Sequence, residues 1–164
     1  MEEQISHATV DATAPRYVGF WLRFVAFIID SIWTSIVIGI VIALLFNDAF
    51  MALAELPPDA SPEELAAAMS AMGSTVMVET LLFAVLIIGF WLWKCATPGK
   101  MLISAEIADA KTLGKPSAGQ LIIRYIGYII STVVLMLGFL WIAIDSRKQG
   151  WHDKIAGTIV VRVR

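Results

Sequence analysis

Seven side chains carry the chemistry open to this chain: Arg23, Asp30, Glu79, Arg124, Asp145, His152 and Asp153. Arg23 and Asp30 are the only ionisable residues in the apolar stretch 18–46. A carboxylate in a low-dielectric medium has a raised proton affinity, and a cation arriving beside it displaces the proton, so that two fluxes become coupled. Seven residues make nearly two helical turns, so Arg23 and Asp30 share a helix face but stand about 10 Å apart along the axis. Each therefore needs a partner from elsewhere. Arg124, the only other basic residue inside an apolar block, is the expected partner of Asp30, and Asp145 that of Arg23. With a span starting at Val18, Arg23 lies about 8 Å deep and can snorkel to the headgroups, while Asp30 lies about 18 Å deep, near the midplane. Glu79, at the outer end of a second apolar block, is an expected gate carboxylate. Buried ion pairs also serve simply to fix which helices pack together, the architectural alternative for the same residues.

His152 beside Asp153 invites a base–acid reading, against which Asp153 serves as a helix cap and Trp151 as an interface anchor. The second histidine, His7, is remote, so no metal site of several histidines is expected. Cys95 and the serines lack the partner spacing of a nucleophile. No enzyme, cofactor or nucleic-acid partner is expected.

The elements that must position these groups are membrane helices. Of 164 residues, 59% are hydrophobic, and the mean hydropathy is +0.78, above the roughly 45–50% apolar usage of soluble domains. The expected fold is an all-α membrane protein: a small helical bundle with full spans over about 18–46 and 74–95, the first about 43 Å long. Residues 1–15 read as a disordered tail without a cleavable signal, and 16–164 as a single transmembrane domain. The loop 47–74 carries Asp48, Glu55, Asp59, Glu63 and Glu64 but no Lys or Arg, and is placed outside; Lys94, Lys100, Lys111 and Lys115 place 94–120 in the cytosol. The basic C-terminal segment also favours the cytosol. Three simple crossings would put it outside, so the third block, 118–144, is expected to form a re-entrant or two-helix element, near 117–131 and 133–144. Three full spans are the alternative.

Ser61-Pro62-Glu63-Glu64 is a capping box that starts a helix running toward the second span. The run 96–100 (ATPGK) stops that span and lacks the pattern of a phosphate-binding loop. Lys94, Lys100, Arg147 and Lys148 are expected at lipid headgroups. Short cytosolic strands over about 101–108 and 157–163 would gain partners by pairing. Most tryptophans, Trp91 included, fall at span ends as aromatic belts; Trp33 is expected in the core.

Five segments in order, Gly19 to Asp30 (GFWLRFVAFIID), Ala96 to Leu102 (ATPGKML), Arg124 to Gly127 (RYIG), Gly138 to Asp145 (GFLWIAID) and Trp151 to Thr158 (WHDKIAGT), resemble the RDD family of small prokaryotic membrane proteins over about 16–163. The resemblance implies a protein of the prokaryotic cell (inner) membrane, which is expected to be multi-pass with both termini cytosolic from the placement of its basic residues. It maps the family's arginine and two aspartates onto Arg23, Asp30 and either Asp145 or Asp153. It implies transport, with exchange of a monovalent cation for a proton as one form. A bundle this small has little room for a pathway, so a homo-oligomer in the lipid bilayer is expected. The alternative is a non-transporting scaffold or accessory protein that binds lipid or a protein partner.

Overall fold

The computed structural model describes residues 15–163, so nearly all of the tail expected to be disordered, 1–15, lies outside the described residues. An apolar run free of proline winds into α1, Phe20–Ala54, interrupted at Phe46 where the backbone leaves helical geometry (φ −130°, ψ 19°). The part up to Phe46 is long and apolar enough to cross a membrane. The capping box holds as read: Ser61 Oγ accepts from the Glu64 amide at 3.2 Å, while the Ser61 amide donates to the Glu64 carboxylate at 2.8 Å. From it α2, Pro62–Lys94, runs 33 residues back along α1 and stops at Cys95, whose backbone is left-handed (φ 53°). It is the second helix able to span.

After α2 come a short α3, Pro98–Leu102, and a strand β1, Ala105–Asp109. The third apolar block is two helices: α4, Ala118–Val133, opened by a second capping box at Ser117 and Gln120, and α5, Leu137–Ile144. They meet at 101°, across left-handed backbone at Leu135 and Met136 (φ 50° and 59°). A six-residue α6, Trp151–Ala156, leads into β2, Thr158–Arg162. The strands pair antiparallel, with Ala105 opposite Arg162 and Asp109 opposite Thr158, and Tyr17 bridges Val161 beyond them. The pairing expected from sequence is there, but residues 101 and 102 are helical and the first strand is shorter than expected, because Pro98 opens a turn of helix. The bridge from Tyr17 to Val161 brings the two ends of the described chain side by side, and the third block is a bent pair of helices and not one straight crossing.

One end of the molecule, the base, is thus built from the start of α1, the end of α2, α3, α6 and the sheet. Val18, Ile87, Trp91, Ala105, Ile107, Leu121 and Val160 form its core. Trp91, expected in an aromatic belt, is fully buried because α4 closes over the last turns of α2; Trp33 is only half-buried. Trp33 meets Phe90 at 5.3 Å between ring centres, and α2 ends four residues beyond Phe90. Asp30, a turn before Trp33, is therefore level with the end of α2 and not at mid-span. Only one face of the first turns of α1, at Arg23, Ala26 and Asp30, is covered by protein, while Trp21, Phe24, Val25 and Phe27 stay exposed.

Candidate functional site

Asp153 stands at the third position of α6, where a carboxylate naturally turns back to the helix start, and it accepts the Gly150 amide at 2.8 Å. Capping is the smaller part of its role. Arg23 Nη1 donates to it at 2.6 Å, and Arg124 Nη1 donates to its other oxygen, so one carboxylate ties α1, α4 and α6 together. Arg23 is further fixed by the carbonyls of Val18 (2.8 Å) and Lys148 (2.5 Å). Arg124 also donates to the Thr158 hydroxyl at 2.7 Å and lies 5.5 Å from the ring centres of Trp91 and Tyr128. Arg124 and Asp153 are both 0% exposed. Burial alone would push the Asp153 carboxyl up, but the Arg124 and Arg23 guanidiniums hold it well below the usual carboxylate range.

His152 packs between Tyr128 (4.3 Å) and Phe139 (5.0 Å). Burial pushes its imidazole down to about 3; Asp153 opposes this, and Arg124, Arg23 and Lys100 reinforce it. The ring is neutral at neutral pH, with Nε2 3.4 Å from Asp153. The unfolded chain takes up a proton on this residue below its ordinary value of 6.5, which the folded protein refuses until about 3. Stability from His152 is therefore complete above that ordinary value and is lost as pH falls through the window. Asp153 adds a loss in the same direction at still lower pH. His152→Phe, which keeps the ring stack, is expected to flatten the dependence of the thermal midpoint between about pH 6.5 and pH 4. An unchanged slope would contradict this.

Seven residues along α1, Asp30 holds a second cluster. Its Oδ2 accepts the Thr97 hydroxyl, and its Oδ1 accepts the Gly99 amide at 2.7 Å and Trp33 Nε1 at 3.0 Å. Lys100 Nζ is 4.0 Å from Oδ2 and donates to Thr97 Oγ1 at 3.2 Å. The contact needs glycine at 99: a Cβ there would lie 2.2 Å from the Ala26 carbonyl oxygen. This close approach brings α3 onto the carboxylate.

Both expected pairings are corrected. Asp30 meets Lys100, not Arg124, because α4 crosses the bundle against α6 and carries Arg124 to Asp153. Arg23 meets Asp153, not Asp145, whose carboxylate instead binds Lys154 at 2.5 Å and the amides of Arg147 and Gln149. Lys100, expected at lipid headgroups, is 9% exposed and belongs to the Asp30 cluster. Arg147 and Lys148 are half-buried and hold the carbonyls of Ala110 (2.6 Å) and Ala143 (3.0 Å), while Lys94 is exposed, 4.6 Å from the Trp93 ring centre. Glu79 is exposed on α2, away from both clusters. Sequence reasoning missed Thr97 and Gly99, although the ATPGKML segment that holds them was already singled out.

Two helices able to span, a third block bent into two helices, and a base of buried ion pairs define a small multi-pass membrane protein. The chain belongs to the RDD family, whose model matches residues 17–157. It is 32% identical to the uncharacterized protein YxaI of Bacillus subtilis over 147 residues, covering 87% of this chain and 95% of that one. It is 30% identical to the uncharacterized membrane protein YteJ of Bacillus subtilis, covering 88% and 80% of the two chains. The match to the uncharacterized protein RP437 of Rickettsia prowazekii, 41% identical, covers 46% of this chain and only 41% of that protein. No solved structure matches the chain.

Proposed function

We propose that this protein exchanges a monovalent cation for a proton at Asp30, in a prokaryotic cell membrane with its base in the cytosol. The observation that carries this reading is the contrast between the two buried carboxylates. Asp153 is gripped by two guanidiniums, one at 2.6 Å and one closer, whereas Asp30 faces a single ammonium at 4.0 Å. The first arrangement is a clasp, and Arg23, Arg124 and Asp153 are assigned to holding α1, α4 and α6 together. The second is a loose pair that an incoming cation can open. Asp30 also sits at the break between α2 and α3, where the Thr97 hydroxyl and the Gly99 amide reach its carboxylate. With one carboxylate, the site suits a single positive charge. The basic side chains around the base favour its cytosolic placement, and the small bundle favours a pathway formed between copies of the chain.

The test is a proteoliposome assay with a trapped pH-sensitive dye. Addition of Na⁺ or K⁺ outside is expected to move protons, and Asp30→Asn to reduce the signal to that of protein-free vesicles. Vesicles carrying the wild-type protein that show no cation-driven signal would overturn the exchange reading.

A further inference from the structure

The contacts around Asp30 divide unequally between donors and acceptors, and this bears on where the exchanged proton resides. The Thr97 hydroxyl, the Gly99 amide and Trp33 Nε1 all donate to the carboxylate, and the Lys100 ammonium stands 4.0 Å away. A proton added to Asp30 would enter a shell made of donors. Thr97 Oγ1 has two lone pairs, of which one already accepts from Lys100. Lys100 is in the opposite position. Its ammonium carries three donors and makes one hydrogen bond among the described residues, to Thr97 Oγ1, while its side chain is mostly buried. A lysine ammonium has a proton to give up, which an arginine guanidinium in a protein does not.

We infer that Lys100 is the proton carrier of the exchange and that the Thr97 hydroxyl is the relay coupling it to Asp30; this rests on the exchange reading of Asp30. In the resting state Lys100 Nζ–H donates to Thr97 Oγ1, whose own hydrogen points to Asp30 Oδ2. Loss of one proton from Lys100 to water leaves a neutral amine with a lone pair. The Thr97 hydroxyl then turns to donate to that nitrogen, which leaves Asp30 Oδ2 and a lone pair of Thr97 Oγ1 open to one monovalent cation. One positive charge leaves and one arrives, so the charge of the site is unchanged. The other titratable groups that feel the Lys100 charge are Tyr128 on α4 and His152 on α6. Arg23, Arg124 and Asp153 are locked in the clasp.

Proton release on adding NaCl or KCl to the detergent-solubilised protein in weak buffer, with choline chloride as the blank, tests this directly. Wild type is expected to release a proton for each cation bound. Lys100→Arg, which keeps the charge but cannot shed it, and Thr97→Val, which removes the hydroxyl, are expected to release none, while Thr97→Ser retains release. Thermal midpoints identify any variant that fails to fold, and the Thr97→Ser and Thr97→Val pair decides the matter if Lys100→Arg does. Wild-type release by Lys100→Arg or Thr97→Val would overturn the relay and leave exchange at Asp30 standing. Absence of release from wild type would overturn both.

Discussion

Replacing Asp153 with alanine is expected to cost about 3–5 kcal/mol of stability, because it leaves two arginines buried without their counter-charge. Arg124 has no exposed surface through which to rehydrate, and its guanidinium would keep only the Thr158 hydroxyl and a long contact to the Tyr128 hydroxyl at 3.4 Å. Arg23 would keep its two backbone carbonyls. The loss should appear as a fall in the thermal midpoint of the detergent-solubilised protein and as poor accumulation in membranes. A triple replacement, Arg23→Met with Arg124→Met and Asp153→Leu, removes the whole charged set and is expected to be less destabilising than Asp153→Ala alone. If the single substitution is silent, the clasp is not what joins α6 to α1 and α4.

Gly99→Ala is expected to damage the second cluster while leaving the first intact. The added methyl would lie 2.2 Å from the Ala26 carbonyl oxygen and 2.9 Å from Asp30 Cγ, and the closest of these is backbone, which cannot rotate away. Helix α3 must then move off α1, at a cost of about 1–3 kcal/mol for overpacking. With it go the amide bond to Asp30 and the seats of Thr97 and Lys100, so cation-driven proton flux should vanish in protein that still folds. Gly119→Ala is the control, since the nearest atom to its Cβ, Ser117 Oγ, is 3.9 Å away. Equal flux from the two variants would show that the approach of α3 to Asp30 is dispensable.

What could be read in the sequence was what local physics decides. Ser61 and Glu64 announced the start of α2, the apolar blocks announced the spans, and the excess of basic residues near the C-terminus favoured a third block of two helices over a single crossing. Seven-residue spacing correctly separated Arg23 from Asp30 as two half-pairs. Their partners were misassigned because partner choice depends on how α4, α5 and α6 close over the base, which no local pattern encodes. Asp153 looked like a simple cap because its three-residue step from Gly150 is satisfied locally; its contacts with residues 23 and 124 are long-range. Lys100 looked like a surface cation next to a helix stop, yet the glycine beside it lets α3 pack onto α1 and carries the lysine inside. The depth of Asp30 was overestimated for a related reason: apolar residues at the start of α1 face protein as well as lipid.

Asp30 as the site of the transported cation and Asp153 as the clasp of the fold are told apart by uptake of tracer sodium or rubidium into proteoliposomes under an imposed pH gradient. Uptake by wild type is expected to collapse with the gradient, and Asp30→Asn that still folds is expected to show none. Uptake by Asp30→Asn equal to wild type would contradict cation binding at Asp30.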